Sequence, residues 1–207
     1  VYKRQAYDAA RPLVIDPLLQ STYLGGAGNE DVKAIAIHPA SHEVYVAGFT
    51  DSNPFPQMTG GAIPASAGLV SFVSRFSADL KTLHQSSYAQ GSPSTSSVYD
   101  AAFSYAAGLA IHPTGGDVYV AIGDTVSRFN AALTTISATA VIGGAASTAV
   151  AIHPVSGEIY VAGTTTSATL AGADAGAAQP TYAGGDDAFV SRLSADLGTL
   201  FRSTYVG

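Results

Sequence analysis

The chain has 207 residues, a net charge of −6 and no cysteine; 47% of its residues are hydrophobic and 12% are charged. This composition excludes an intrinsically disordered chain, because disorder requires low hydrophobicity and high charge. The acidic balance argues against nucleic acid as a partner, the lack of cysteine excludes disulfides and thiolate metal sites, and no apolar run is long enough for membrane insertion.

The N-terminal segment is set apart from the rest of the sequence. Residues 1–5, VYKRQ, are the translation of GTG TAT AAG AGA CAG, which resembles a transposase end sequence used in preparing sequencing libraries. We therefore interpret residues 1–5 as an adapter-derived artefact and residues 6–17 as a leader segment. Because the final letters, STYVG, stop within a recurring phrase, we expect the chain to be a fragment of a longer protein.

The first predicted strand covers residues 18–26, LLQSTYLGG, and related letters return at Leu83, Ile136 and Leu200. Two other phrases recur between these copies. AIAIHPASHEVYVAG begins at Ala34 and has variants at Gly108 and Ala149, and FVSRFSADLKTL begins at Phe72 and has variants at Thr125 and Phe189. Because the order of the phrases is constant, the chain is predicted to repeat one structural unit three times, over about 31–92, 105–144 and 147–207.

Each unit is predicted to hold four short strands, corresponding to AIAIHP, EVYVAG, FVSRF and QSTYLGG. Val, Ile, Tyr and Phe are concentrated in these runs and alternate with other residues, as in half-buried strands. The turn between the first two strands contains proline, followed by Gly116 or Gly157, which adopt positive φ without steric cost. His42 occupies that position in the first unit, and histidine is among the residues that tolerate the left-handed region.

Four antiparallel strands in fixed order are typical of one blade of a β-propeller. The sequence therefore predicts an all-β fold, a β-propeller fragment of about three four-stranded blades plus one extra outer strand at 18–26. Because about four to eight blades close a ring, we expect missing blades of a parent chain, or self-association, to cover the end blades. Long loops are predicted at about 49–70, 89–107 and 164–187.

The phrases STYLGG, AIAIHP…EVYVAG, FTDSNPFP and DAFVSRLSADL are similar to the SBBP-type bacterial β-propeller repeat and, more distantly, to NHL-like repeats. The resemblance implies a propeller within a large exported or surface-attached bacterial protein, and it implies no shared catalytic residues. His38, His112 and His153 stand where members of that family often have aspartate.

These three histidines allow two interpretations. Histidine is a common metal ligand and general base, so the three side chains could surround the mouth of a central channel. Alternatively, each imidazole caps a turn at the end of an inner strand. The second interpretation is favoured, because equivalent atoms on neighbouring blades lie too far apart to share one ion at His–metal distances of about 2.0–2.1 Å.

Arginine recurs in the third strand of each unit, at Arg75, Arg128 and Arg192. A basic stripe for an acidic ligand is one interpretation. The favoured one is a side chain that covers apolar surface or forms an ion pair, with Asp79 or Asp196 as the expected partner.

Tyrosine recurs in the fourth-strand phrase, at Tyr23, Tyr88 and Tyr205. Such rings could stack on sugars, but packing between blades explains a recurring position equally well.

Residues 25–31, GGAGNED, nearly match the calcium-binding pattern G-G-x-G-x-D, with Glu30 at the acidic position and Asp31 after it. Calcium prefers carboxylate and carbonyl oxygens, so both residues are weak calcium candidates. The calcium roll needs stacked copies, however, and the equivalent letters at 143–148, GGAAST, carry no acid. A linker between blades is therefore the favoured interpretation, and no cofactor or metal is predicted.

The sequence predicts a non-catalytic structural or binding module, extracellular or at the cell surface, that presents its loops to an unknown protein or glycan. One alternative is a propeller enzyme, a lyase or hydrolase with its site at the channel mouth, which would gather polar residues with perturbed pKa values in one pocket. Another is a calcium-dependent adhesion module that uses Asp31. Sequence motifs for a nucleophile elbow, a zinc protease or a phosphate loop are absent.

Overall fold

The computed structural model describes residues 20–64, 69–89 and 106–207. The predicted artefact, the leader segment, the start of the predicted strand 18–26 and most of the loop at 89–107 lie outside these residues. Where the chain is described it forms twelve β-strands and no helix, so the predicted all-β class is confirmed and no described segment is a helix that could span a membrane.

The strands in chain order are β1 Glu30–Ile37, β2 Val44–Thr50, β3 Val70–Phe76, β4 Leu83–Ala89, β5 Ala106–Ile111, β6 Val118–Ile122, β7 Thr125–Phe129, β8 Ile136–Val141, β9 Ala145–Ile152, β10 Ile159–Thr165, β11 Asp187–Leu193 and β12 Leu200–Val206. They form three antiparallel sheets of four strands each: the first sheet (β1–β4), the middle sheet (β5–β8) and the third sheet (β9–β12). Neighbours in each sheet are consecutive in the chain, as in the blades of a propeller.

The predicted extra strand is not formed in the residues that can be assessed. Residues 20–26 have no strand structure, and the Tyr23 side chain is fully exposed. A strand requires a hydrogen-bonded neighbour, and each of the three sheets already ends in its own fourth strand. Leu24 packs instead against a cluster that includes Phe72 and Tyr88 of the first sheet.

The three sheets stack in chain order, with the inner strand β5 in contact with β1 on one side and β9 on the other. Each sheet has two different faces. One, the tyrosine face, packs on the next sheet in both contacts; its residues are Tyr45, Ala47, Val73 and Ala89 in the first sheet, and Tyr119, Ala121, Val126 and Ala140 in the middle sheet.

The opposite face, the aliphatic face, carries larger branched and aromatic side chains. It is supplied by Leu109, Ile111, Val118, Val120, Phe129 and Leu133 in the middle sheet, and by Val150, Ile152, Ile159, Val161, Leu193 and Leu197 in the third sheet. Burying one such side chain contributes about 1.5–3 kcal/mol, so the stacked faces form the main core. This arrangement results from the period of two in each strand, which sends alternate side chains to opposite faces.

The turn between the third and fourth strands places a leucine in the left-handed region in all three sheets. The φ angles of Leu80, Leu133 and Leu197 are 56°, 61° and 61°. The sequence predicts a tight turn here but not this conformation, which is unfavourable for a residue with a large side chain. Leu133 and Leu197 are buried against the neighbouring sheet, and this packing offsets the backbone cost.

Candidate functional site

The three recurring histidines cap the turn that follows the first strand of each sheet. His38 Nδ1 accepts hydrogen bonds from the backbone N–H groups of Ala40 at 3.2 Å and Ser41 at 3.1 Å. His112 and His153 repeat the arrangement, with the shortest distances 3.1 Å from Gly115 N and 3.0 Å from Ser156 N. The structure therefore supports the turn-capping interpretation, and the described residues contain no group of three or more His, Asp or Glu side chains that could hold a metal ion.

The other imidazole nitrogen lies at the contact between sheets. Gly116, in the middle sheet, has φ +73°, and a Cβ atom there would lie 2.5 Å from His38 Nε2 of the first sheet. Gly157, in the third sheet, has φ +71°, and a Cβ there would lie 2.8 Å from His112 Nε2 of the middle sheet. Each histidine thus packs against the glycine of the next turn, so both backbone conformation and space require glycine at these positions.

The recurring arginines form ion pairs, but not with the predicted partners. Arg75 Nη1 lies 3.6 Å from Glu43 Oε1, Arg128 binds Asp117, and Arg192 Nη2 lies 2.5 Å from Glu158 Oε1. The register explains the choice. Arg75 pairs with Tyr45, and Glu43 is two residues before Tyr45, so the acid is a diagonal neighbour of the arginine on the same face.

The predicted acidic partners of the arginines serve their own turns instead. Asp79 Oδ1 accepts a hydrogen bond from Ser77 Oγ at 2.7 Å, and Asp196 Oδ1 accepts one from the backbone N–H of Gly198 at 3.0 Å. The prediction of Asp79 or Asp196 as the partner is therefore corrected. The side chain of each aspartate closes the turn in which it lies.

Two of the three recurring tyrosines anchor long loops. Tyr88 and Tyr205 are buried, and their hydroxyl groups donate to the backbone carbonyls of Ser52 at 2.8 Å and Ser167 at 2.9 Å. Tyr205 Oη also accepts the backbone N–H of Leu170 at 2.8 Å. These phenols are therefore structural, whereas Tyr23 is exposed and lies outside any strand.

The loop between the second and third strands lies along the outer strand in the first and third sheets. In the first sheet Ser86 N donates to Gln57 O at 2.8 Å and Tyr88 N to Ile63 O at 3.0 Å. In the third sheet the corresponding bonds are Ser203 N to Gly172 O at 2.9 Å and Tyr205 N to Gln179 O at 3.0 Å. Because the loop covers the free backbone groups of the outer strand, it protects an edge that would otherwise pair with other chains.

Apolar side chains also hold these loops against their sheets. Phe55 and Met58 are buried, and the Phe55 ring lies 4.6 Å from that of Phe72 between centroids. In the third sheet Leu170 is buried in the core cluster, and the Tyr182 ring lies 6.0 Å from that of Tyr205. The described residues of both loops are thus held by the same kinds of contact, and exposed polar residues lie on their outer side.

The two calcium candidates have separate partners. Burial raises the pKa of Glu30, but hydrogen bonds from Ser52, Thr50 and the backbone of Gly26 outweigh this effect, so the pKa is lowered overall. Asp31 Oδ2 lies 2.6 Å from Lys33 Nζ. Glu30, at the acidic position of the calcium-binding pattern, therefore joins the start of β1 to the end of β2. Asp31 has a different partner, Lys33.

The other carboxyl groups with a lowered pKa each have their own hydrogen-bond partner, and the charge of Asp51 also acts on Glu30, where it raises the pKa. Hydrogen bonds are the main cause, from Asn29 to Asp51, from Ser77 to Asp79, from Arg192 to Glu158 and from Ser194 to Asp196. The Asp79 and Asp196 perturbations belong to turns, that of Glu158 to an ion pair, and that of Asp51 to a contact between the residue before β1 and the residue after β2.

A second set of tyrosines connects the sheets, and the sequence analysis did not single it out. Tyr45 Oη donates to Ala131 O of the middle sheet at 2.7 Å, and Tyr119 Oη donates to Ala195 O of the third sheet at 2.6 Å. Burial raises the pKa of both phenols. The signal was present, because the same tyrosine recurs in each VYV or IYV phrase.

No protein-family model matches the chain, and no curated protein matches it. Among solved structures, a luciferin-regenerating enzyme is similar at 16% sequence identity, with a TM-score of 0.30. The match covers 65% of this chain and 54% of the length of that enzyme. A TM-score of this size carries no inference about fold or activity.

Proposed function

We propose that the chain is part of a β-propeller of the SBBP type. We further propose that it is a non-catalytic binding module of an exported or cell-surface bacterial protein. Its two anchored loop segments, residues 51–64 and 166–186, would contact a protein or glycan partner. The stacking of three equivalent sheets through β1, β5 and β9 supports the propeller, because blades pack in this way around an axis.

The observation that carries the binding role is the anchoring of both loops by the same set of contacts. A loop held by backbone hydrogen bonds and buried apolar side chains loses little conformational entropy when a partner binds. Surface loops on a rigid scaffold are also the usual position of binding residues. The histidines, arginines and buried tyrosines cap turns, form ion pairs or join sheets. This leaves exposed loop residues as the ones available to a partner.

The experiment compares the chain with variants in the two loops. Thr59 and Thr181 are exposed, and replacing each by arginine changes the loop surface without touching the buried anchors. Val155→Arg is the matched control, since Val155 is 90% exposed in a turn at the opposite end of the third sheet.

A glycan array and an affinity column, each probed with the chain and its three variants, supply the readout. Binding of the chain that is lost in Thr59→Arg or Thr181→Arg and kept in Val155→Arg supports the proposal. Binding that all variants share equally, or turnover of a glycan by the chain, contradicts it.

A further inference from the structure

Stacking leaves two faces of the described sheets without a neighbouring sheet. One is a tyrosine face and the other is an aliphatic face, and these are the two kinds of face that pack together inside the chain. The apolar residues of the tyrosine face of the third sheet are Tyr160, Ala162, Val190 and Val206, and Arg192 and Arg202 lie on the same face. Val190 and Val206 are 38% and 53% exposed, whereas the equivalent Val73 and Ala89 of the first sheet are buried.

The other uncovered surface is the part of the aliphatic face of the first sheet that lies on β1, since Leu24, Phe55 and Met58 cover the part around Phe72 and Tyr88. Ile35 and Ile37 are 67% and 62% exposed there. Their equivalents in the third sheet, Val150 and Ile152, pack against the cluster between the middle and third sheets. A second copy of the chain would therefore present, in its first sheet, apolar residues of the right kind for the exposed tyrosine face.

One position differs between this exposed aliphatic face and the two that are covered. In the covered faces the first turn carries Gly116 or Gly157, each packed against the imidazole of the preceding sheet. In the first sheet His42 occupies the same position, with φ 59° and the same backbone hydrogen bond, from its N–H to His38 O at 2.9 Å. The corresponding bond of Gly116 to His112 O measures 3.0 Å.

We propose that the tyrosine face of the third sheet is a docking surface for a further sheet of this repeat whose first turn carries glycine. We propose also that His42 prevents the first sheet of a second copy from being that partner. Suppose that a second copy docked with the geometry that joins the sheets within the chain. Its His42 Cβ would then lie about as close to His153 Nε2 as a Cβ on Gly116 or Gly157 would lie to the preceding histidine, which is 2.5 or 2.8 Å. His153 cannot turn away freely, because its Nδ1 accepts two backbone hydrogen bonds.

The hydrogen bonds between the stacked sheets also indicate which polar group the partner would supply. Tyr45 and Tyr119 donate to the carbonyls of Ala131 and Ala195, which lie in the turn between the third and fourth strands of the next sheet. Tyr160 occupies the equivalent position in the third sheet, and it lines a surface cleft together with Val190, Arg192 and Phe201. The partner must therefore offer a turn carbonyl to Tyr160 and a glycine to His153.

Docking at the tyrosine face involves neither the loops nor their ligand, so the chain itself is the probe. Sedimentation of a concentration series compares wild type, His42→Gly and His42→Asn. Asparagine also tolerates positive φ, but it keeps a Cβ atom, so it is the matched control. We expect His42→Gly to self-associate about tenfold more tightly or better, and wild type and His42→Asn to behave alike.

Two further variants test which surface is used. Val190→Glu and Tyr160→Ser, each combined with His42→Gly, should return self-association to the wild-type level. Val190 is exposed and Tyr160 is half-buried, so folding is checked by circular dichroism in both cases. Equal association of His42→Gly and His42→Asn, tight association of the wild type, or association that survives both surface variants would each overturn the proposal.

Discussion

Replacing Gly116 by alanine tests the contact between sheets most directly. The substitution places a side chain at φ +73°, where the left-handed conformation costs about 1–2 kcal/mol. It also places a Cβ atom 2.5 Å from His38 Nε2, and overpacking of this kind costs about 1–3 kcal/mol more. Gly143 separates the two effects, because its φ is +69° and a Cβ there would have nothing within 4 Å.

Urea unfolding should therefore show that Gly116→Ala loses about 2–5 kcal/mol and Gly143→Ala only about 1–2 kcal/mol. For a chain of this size, each kcal/mol lowers Tm by about 2–4 °C. His38→Ala combined with Gly116→Ala should remove the excess, because the imidazole is then absent. Equal losses in the two glycine variants, or strictly additive losses in the double variant, would refute the proposed packing of histidine on glycine.

Two further predictions concern the loop anchors and the ion pairs. Tyr205→Phe removes the hydroxyl group that bonds the 166–186 loop, so it should lower the free energy of unfolding by about 1–3 kcal/mol and speed limited proteolysis of that loop. Tyr23→Phe, at an exposed site, is the control and should change neither measurement. A Tyr205→Phe variant with unchanged stability and proteolysis would contradict the anchoring. The hydrogen bond from Arg192 lowers the pKa of Glu158, whose ordinary value is 4.5, so the stability it contributes is present above that pH and is lost as the pH falls through the lowered pKa. The urea midpoint of Glu158→Gln should therefore be lower than that of wild type at pH 7 and should decline less on acidification, and parallel pH profiles would count against this ion pair.

The sequence by itself was enough for the all-β class, the four-stranded unit and the turn positions. The alternation of apolar and polar residues and the recurring turn residues are local properties, and local properties can be recognised in the sequence without knowledge of the fold. His42, Gly116 and Gly157 adopt positive φ as expected, because few residue types tolerate that conformation. Residues 20–26 show the limit of this reasoning, since letters that form a strand beside a partner do not form one without it.

The choice of partners was decided by the tertiary structure alone. The sequence shows that Arg192 recurs, but only the strand register places Glu158, and not Asp196, beside it. Likewise, the repeated tyrosine of the second strand gives no indication that its hydroxyl group reaches a carbonyl in the next sheet, as in Tyr119 to Ala195. Such contacts join residues that are distant in the chain, and their geometry exists only after the sheets have stacked.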